Sequence, residues 1–188
     1  MNNKLRMFGV AVLILMLATA ALLAVLISPA NPLSWLLVAS LAVLPLIHQR
    51  MKSKQYLKWK PGYSVGIASI DAQHRKLIEL INSLQAAVDY STGEQFERKA
   101  LDEMVDYTKT HFKYEEELME QNGYADFESH CSEHARMIAR VEEVLLAYHA
   151  DPHNALHEAL KFLKDWLINH INGTDKQYSQ FLIDKGVK

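Results

Sequence analysis

Two pairs of side chains constrain this chain more than anything else in it. His111 and Glu115 stand four residues apart, His130 and His134 likewise, and Asn122-Gly123 lies between the pairs. A four-residue step turns a helix by only about 40°, so each pair projects from one stripe. Asn-Gly is a usual helix terminator, which assigns the pairs to successive helices. The same stripes carry apolar residues and therefore face the interior. Burying imidazoles and carboxylates without partners costs several kcal/mol per group, so such a chain needs facing helices with a cation between them.

The remaining pattern supplies those helices. Leu77, Ile78, Ile81 and Leu84 recur at three- and four-residue spacing and predict a helix capped by Asp71 and running to about Tyr90, where "STGE" breaks it. A second helix is expected from about Glu94 to Gln121. Asp126 is the expected cap of a third, which passes through Met137, Val141 and Leu145 to Ala150. Asp151-Pro152 opens a fourth, with proline in the tolerated first turn. Four helices with short connections predict an all-α, up-down-up-down four-helix bundle over residues 61–188. His74, after "IDAQ", and His170, after "WLIN", add two more imidazoles in apolar surroundings. One i,i+4 histidine pair is readily a surface coincidence; two pairs and two further histidines make metal binding the economical explanation. The chain has no strand pattern, repeat or glycine-rich phosphate loop, and nothing in it points to a nucleic-acid partner.

The first third is a different polymer. All 22 acidic residues follow residue 60, so residues 1–60 carry +7 and the remainder −9. From Met7 to Ser28 run 22 residues without a charge, enough at 1.5 Å per residue to cross a hydrocarbon core of about 30 Å. The second uncharged run, Leu33–Ile47, has 15 residues with Pro45 near its end. It spans only with local thinning or with help from Asn31, Pro32 and His48. Lys4 and Arg6 precede the first run, and Arg50, Lys52, Lys54, Lys58 and Lys60 follow the second. This predicts a two-helix transmembrane hairpin over residues 1–47 with both ends cytoplasmic. A basic juxtamembrane linker over 48–60 then touches anionic headgroups of the lipid bilayer, and the bundle faces the cytoplasm from the inner (cytoplasmic) membrane. The rival reading, a cleaved signal peptide, has a shorter apolar core; under it, Leu33–Ile47 and the cations after it still act as a stop-transfer segment. The single cysteine, Cys131, excludes an intramolecular disulfide.

His74, then "HFKYE" (His111, Glu115), "HCSEH" (His130, His134) and "HINGTD" (His170, Asp175), led in by "GYSVGIASIDAQH", closely resemble the bacterial hemerythrins from about Tyr56 to Leu182. The resemblance implies a four-helix bundle holding two iron ions in an oxygen-bridged, non-haem di-iron centre that binds O2 reversibly. Its implied ligands are His74, His111, Glu115, His130, His134, His170 and Asp175. Asp175 rests on the resemblance, because five residues from His170 it is ~140° out of phase on a regular helix; Gly173 is expected to permit a wider turn there. By the same resemblance Leu77, Phe112, Met137, Trp166, Leu167 and Ile171 line a dry O2 pocket, with Trp59 nearby, although each fits equally well as an ordinary core residue. Tyr114, Cys131, His149, His153 and His157 receive no role.

If Glu115 and Asp175 bridge the irons together with one oxygen, the iron taking His130, His134 and His170 is fully coordinated. The iron taking His74 and His111 keeps one open position, expected to receive O2 beside Leu77 and Phe112. The set lacks the Glu-x-x-His signatures and the carboxylate number of di-iron oxygenases, which favours binding over O–O cleavage and implies a protein that is not an enzyme. An O2-binding module for storage or delivery beside membrane oxidases or oxygenases is the leading expectation. A sensor acting through a separate partner, and a di-iron enzyme acting on peroxide or nitric oxide, are the alternatives.

Overall fold

The computed structural model describes residues 3–53, 55–90, 92–148 and 151–188. They form two compact units, Met1–Gln55 and Tyr56–Lys188.

The first unit is a pair of helices, α1 (Asn3–Ile27) and α2 (Pro32–Ser53), packed on one another. The turn between them is closed by side chains. Asn31 Oδ1 accepts from the Leu33 N–H at 3.0 Å, the Ser34 hydroxyl donates to the Ala24 carbonyl at 3.0 Å, and Trp35 Nε1 donates to the Pro29 carbonyl at 2.9 Å. Ala21 and Ser34 are buried, whereas Phe8, Leu15, Leu22, Leu26, Leu33 and Leu36 are exposed. Among the described residues no helix is long and apolar enough to cross a membrane; the described side chains of α1 are continuous over residues 12–27. Lys54 and the side chains of Lys4, Arg6 and Lys52 lie outside the described residues. The stretch expected as a linker is helical as far as Ser53.

The second unit contains a short 3-10 turn (Pro61–Tyr63), α3 (Ala68–Asp89), α4 (Glu94–Asn122), α5 (Phe127–Tyr148), α6 (Pro152–His170), a π turn (Ile171–Asp175) and α7 (Lys176–Asp184). The α3 helix packs on α4 and α6, and α5 packs on α4 and α6, which closes a bundle of four. Its core stacks Leu77, Ile81 and Leu84 of α3 with Leu101 and Met104 of α4, Met137 and Val141 of α5, and Leu156 and Leu163 of α6. Each such side chain contributes about 1.5–3 kcal/mol when removed from water.

Local chemistry sets the ends. The α4 helix stops where Gly123 turns left-handed, φ 71°, and its N–H reaches the Glu120 carbonyl at 3.1 Å. Asp151 caps α6 by accepting from the Asn154 N–H at 3.2 Å, with Pro152 in the first turn. Asp71 is not a cap: α3 begins three residues earlier, at Ala68, after Ile67. The buried Asp71 carboxylate instead accepts from the Val65 N–H at 2.8 Å and from the Ser64 hydroxyl, clamping the entering segment to the first turn. That segment joins the bundle earlier than Pro61. The Leu57 N–H donates to Asn82 Oδ1 and the Asn82 amide donates to the Leu57 carbonyl, each at 2.8 Å. Ala150, the expected end of the third helix, lies outside the described residues, as does His149; α5 is described to Tyr148.

Candidate metal centre

Seven side chains converge near one end of the bundle: His74 from α3, His111 and Glu115 from α4, His130 and His134 from α5, His170 at the end of α6, and Asp175 at the end of the π turn. All are buried, none more than 5% exposed. Glu115 Oε1 lies 3.5 Å from His74 Nε2 and 3.4 Å from His111 Nε2, while its Oε2 lies 3.6 Å from His130 Nε2 and 3.5 Å from His134 Nε2. Asp175 Oδ2 lies 3.2 Å from His74 Nε2, and Oδ1 lies 3.0 Å from His170 Nε2 and 3.9 Å from His130 Nε2. Each carboxylate thus divides its two oxygens between one histidine pair and one histidine triplet.

The π turn is what brings Asp175 in. The wider π turn, with i→i+5 hydrogen bonds, reduces the ~140° mismatch that a regular helix imposes between His170 and Asp175. Gly173 is not sterically required for it. Its φ is not among the positive ones, and a Cβ there meets nothing within 4 Å.

The arrangement calls for a cation. His130 Nε2 and His134 Nε2 are 3.0 Å apart, and His134 Nε2 and His170 Nε2 are 3.1 Å apart. That matches the spacing of adjacent ligands on one octahedral ion with bonds of about 2.1 Å. Across both groups, both ring nitrogens of His74, His111 Nε2, Glu115 Oε2 and both Asp175 oxygens are buried without a hydrogen-bond partner. Each such group costs about 1–3 kcal/mol if nothing meets it. Burial opposes a charged imidazole at His74, but the facing Asp175 and Glu115 carboxylates outweigh it and raise its pKa to about 9. Burial takes His111 down to about 4. Against its own burial, the surrounding imidazoles, His111 foremost, hold the Glu115 carboxyl well below the usual range. Asp175 is also lowered, by His170 and His74, despite burial and the Glu115 charge. Two buried negative charges among nitrogen donors fit a pair of metal ions.

Other residues hold these ligands in place and were not found from the sequence. Gln73 Oε1 accepts from His111 Nδ1 at 3.0 Å, Glu116 Oε1 accepts from His134 Nδ1 at 2.8 Å, and the Tyr178 hydroxyl donates to Glu115 Oε1. Such outer partners fix the ring tautomer and orientation. The available signal was position: Gln73 and Glu116 each adjoin a ligand, and Tyr178 follows Asp175 by three residues.

A narrow cavity of about 10 Å³ lies among Leu77, Met137, Trp166 and Leu167, four of the residues singled out from the sequence, together with Ile81, Met104, Thr108 and Leu163. Its volume is near that of a single water probe. The Thr108 hydroxyl is tied to the Met104 carbonyl at 2.8 Å, so the lining stays effectively apolar. Two expected members are elsewhere. Ile171 is buried outside the lining, and Phe112 lies flat on His134, ring centroids 3.6 Å apart and 3° from parallel. Phe112 thus covers the triplet, and its ring also lies 5.9 Å from that of His111 and 5.4 Å from that of Trp166. Trp166 also stacks on His170, at 4.1 Å. Trp59 lies under the Arg75 guanidinium at 4.4 Å, away from the cavity. Burial, with Glu116 and Glu128 adding to it, pushes the Cys131 thiol up to about 11, which leaves it unreactive. Tyr114 packs half-buried against the core and His157 is exposed; the His153 side chain lies outside the described residues.

Residues 65–182 match the hemerythrin HHE cation binding domain. The chain is 40% identical over 123 residues to a bacteriohemerythrin of Stenotrophomonas maltophilia, covering 65% of this chain and 79% of the relative. It is 36% identical over 122 residues to a bacteriohemerythrin of Methylococcus capsulatus, covering 64% and 90%. A wild-type hemerythrin crystal structure superposes with a TM-score of 0.59 at 30% identity, covering 67% of this chain and 97% of that one.

Proposed function

Because the chain belongs to the hemerythrin family, whose domain binds a di-iron centre, we propose that it is a membrane-anchored, non-haem di-iron protein that binds O2 reversibly. Its role on this reading is oxygen storage or delivery beside membrane oxidases or oxygenases. His74 and His111, with Glu115 and Asp175, would hold one iron. His130, His134 and His170, with the same two carboxylates, would hold the other. The observation that carries this assignment is the division of both carboxylates between the two histidine groups. The iron pair, when bound, supplies the electrons for reversible O2 binding. The protein's own residues do the rest. Leu77, Met137 and Leu167 exclude water from the cavity, Gln73 and Glu116 keep the inward nitrogens of His111 and His134 unprotonated, and Phe112 and Trp166 fix the ring planes of His134 and His170.

Anchoring rests on the sequence alone: 22 uncharged residues from Met7 to Ser28, about 33 Å at 1.5 Å per residue. The cations before Met7 and after Ile47 favour a cytoplasmic bundle on the inner membrane.

Elemental analysis of the full chain after iron-replete expression should give two irons per chain; one zinc, or no metal, sinks the assignment. His134→Ala should lose iron, and retention of both irons with native stability would contradict its role. Detergent, but not high salt, should release the protein from membranes; release by salt would leave the basic residues, not Met7–Ile47, as the attachment.

A further inference from the structure

The two openings that approach the centre differ in chemistry. The cavity beside Leu77 is apolar and about 10 Å³, and a divalent ion does not shed its water into such a space. On the other side a solvent-open pocket of about 210 Å³ is lined by Asp126, Ser129, His130, Glu133, Thr174 and Gln177, among others. It is lined by two carboxylates, hydroxyls and an amide, with no lysine or arginine among its lining residues. An ion with six waters needs roughly 180 Å³ at about 30 Å³ per water, so a hydrated cation has room. Ser129, His130 and Glu133 follow one another at helical spacing in the first turns of α5, which puts them on one face, and Asp126 immediately precedes that helix. Thr174 adjoins Asp175.

His130 connects this pocket to the interior. It is 3% exposed, its Nε2 is turned inward to His134 at 3.0 Å, and the residue also lines the pocket. Its Nδ1 has no protein partner among the described residues, whereas the Nδ1 atoms of His111 and His134 are held by Gln73 and Glu116. Glu133 also pairs with the exposed Arg136, a contact worth little in water.

We propose that this pocket is the portal through which ferrous ions reach and leave the centre. Asp126 and Glu133 receive the hydrated ion, and His130 is the first protein nitrogen on its way inward. The inference rests on the di-iron reading above.

The test follows iron exchange in the full-length, iron-loaded protein in detergent, without oxygen. Release to a ferrous chelator and reloading with Fe2+ alone are timed for the parent, for Asp126→Asn combined with Glu133→Gln, and for Ser129→Phe, which fills the pocket. The double variant should exchange roughly tenfold more slowly, the order expected on removing charges near a divalent ion in water, and Ser129→Phe should slow exchange by obstructing the path, while both still hold two irons at equilibrium. Exposed Glu103→Gln should exchange at the parental rate. Parental or faster exchange in the double variant overturns the portal. Should that variant fail to hold two irons, Ser129→Phe decides alone: slow exchange supports the portal and parental exchange overturns it. A parent without iron sinks the di-iron reading itself, whereas a parent with two irons and unaltered variant rates sinks only the portal.

Discussion

Leu77 follows His74 by three residues and is 2% exposed at the narrow cavity. Leu77→Asn puts an amide where nothing can satisfy it and admits water. The oxygenated protein should autoxidise several-fold faster, with both irons retained and about 2–4 kcal/mol of stability lost; exposed Lys113→Asn should do neither. Following the decay of the oxygenated absorption checks this, and a parental rate with iron intact would place the open position elsewhere. At this scale the sequence was most legible where helix geometry forces proximity. His111 with Glu115, and His130 with His134, needed only the period of 3.6 residues. The stack of Phe112 on His134 was not foreseen, because adjacency to His111 says nothing about which neighbouring helix its ring meets. Gln73, Glu116 and Tyr178 were missed for the same reason, since polar residues beside ligands are common and their partners depend on helix rotation.

Elements were legible where their ends are decided locally. Gly123 and Asp151 stop and start helices through contacts within a few residues. Asp71 misled because a carboxylate in the first turn can accept from the chain before the helix as readily as cap it. The wider turn between His170 and Asp175 was expected only because the resemblance needs Asp175 at the centre, and its attribution to Gly173 was mistaken, because no side chain in Ile171–Asp175 demands it. Gly173→Ala should therefore keep both irons and raise stability by about 0.5–1 kcal/mol, since alanine is the better helix former and its Cβ meets nothing. Thermal unfolding and iron content check this, and loss of iron would show that the glycine itself is needed.

For the whole molecule, charge changes sign after residue 60, whereas the two compact units meet in sequence at Gln55–Tyr56. The larger unit carries buried charge that makes its iron-free form sensitive to pH. His74 is raised from 6.5 to about 9, so its contribution, about 3 kcal/mol, is complete below pH 6.5 and lost as pH rises through 9. Glu115 and Asp175 are lowered, so theirs is present above the ordinary carboxylate range and lost as pH falls. His111, down at about 4, resists protonation in the fold and also costs stability below pH 6.5. The Tm of the iron-free protein should decline on both sides of about pH 6.5. Iron takes the place of the His74 proton, so loading should abolish the alkaline decline; an iron-free Tm that is flat from pH 6.5 to 9 would contradict this account.

The division of Glu115 and Asp175 between the two histidine groups has a consequence for occupancy. A first ion bound there would engage both carboxylates and so fix the other oxygen of each, already aimed at the second set of imidazoles. The rotamer freedom of those side chains would be lost once for two ions, so a second ion would meet a prearranged site. Binding should then be cooperative: under scarce iron the population would sort into empty and doubly filled chains, and the half-filled form would stay rare.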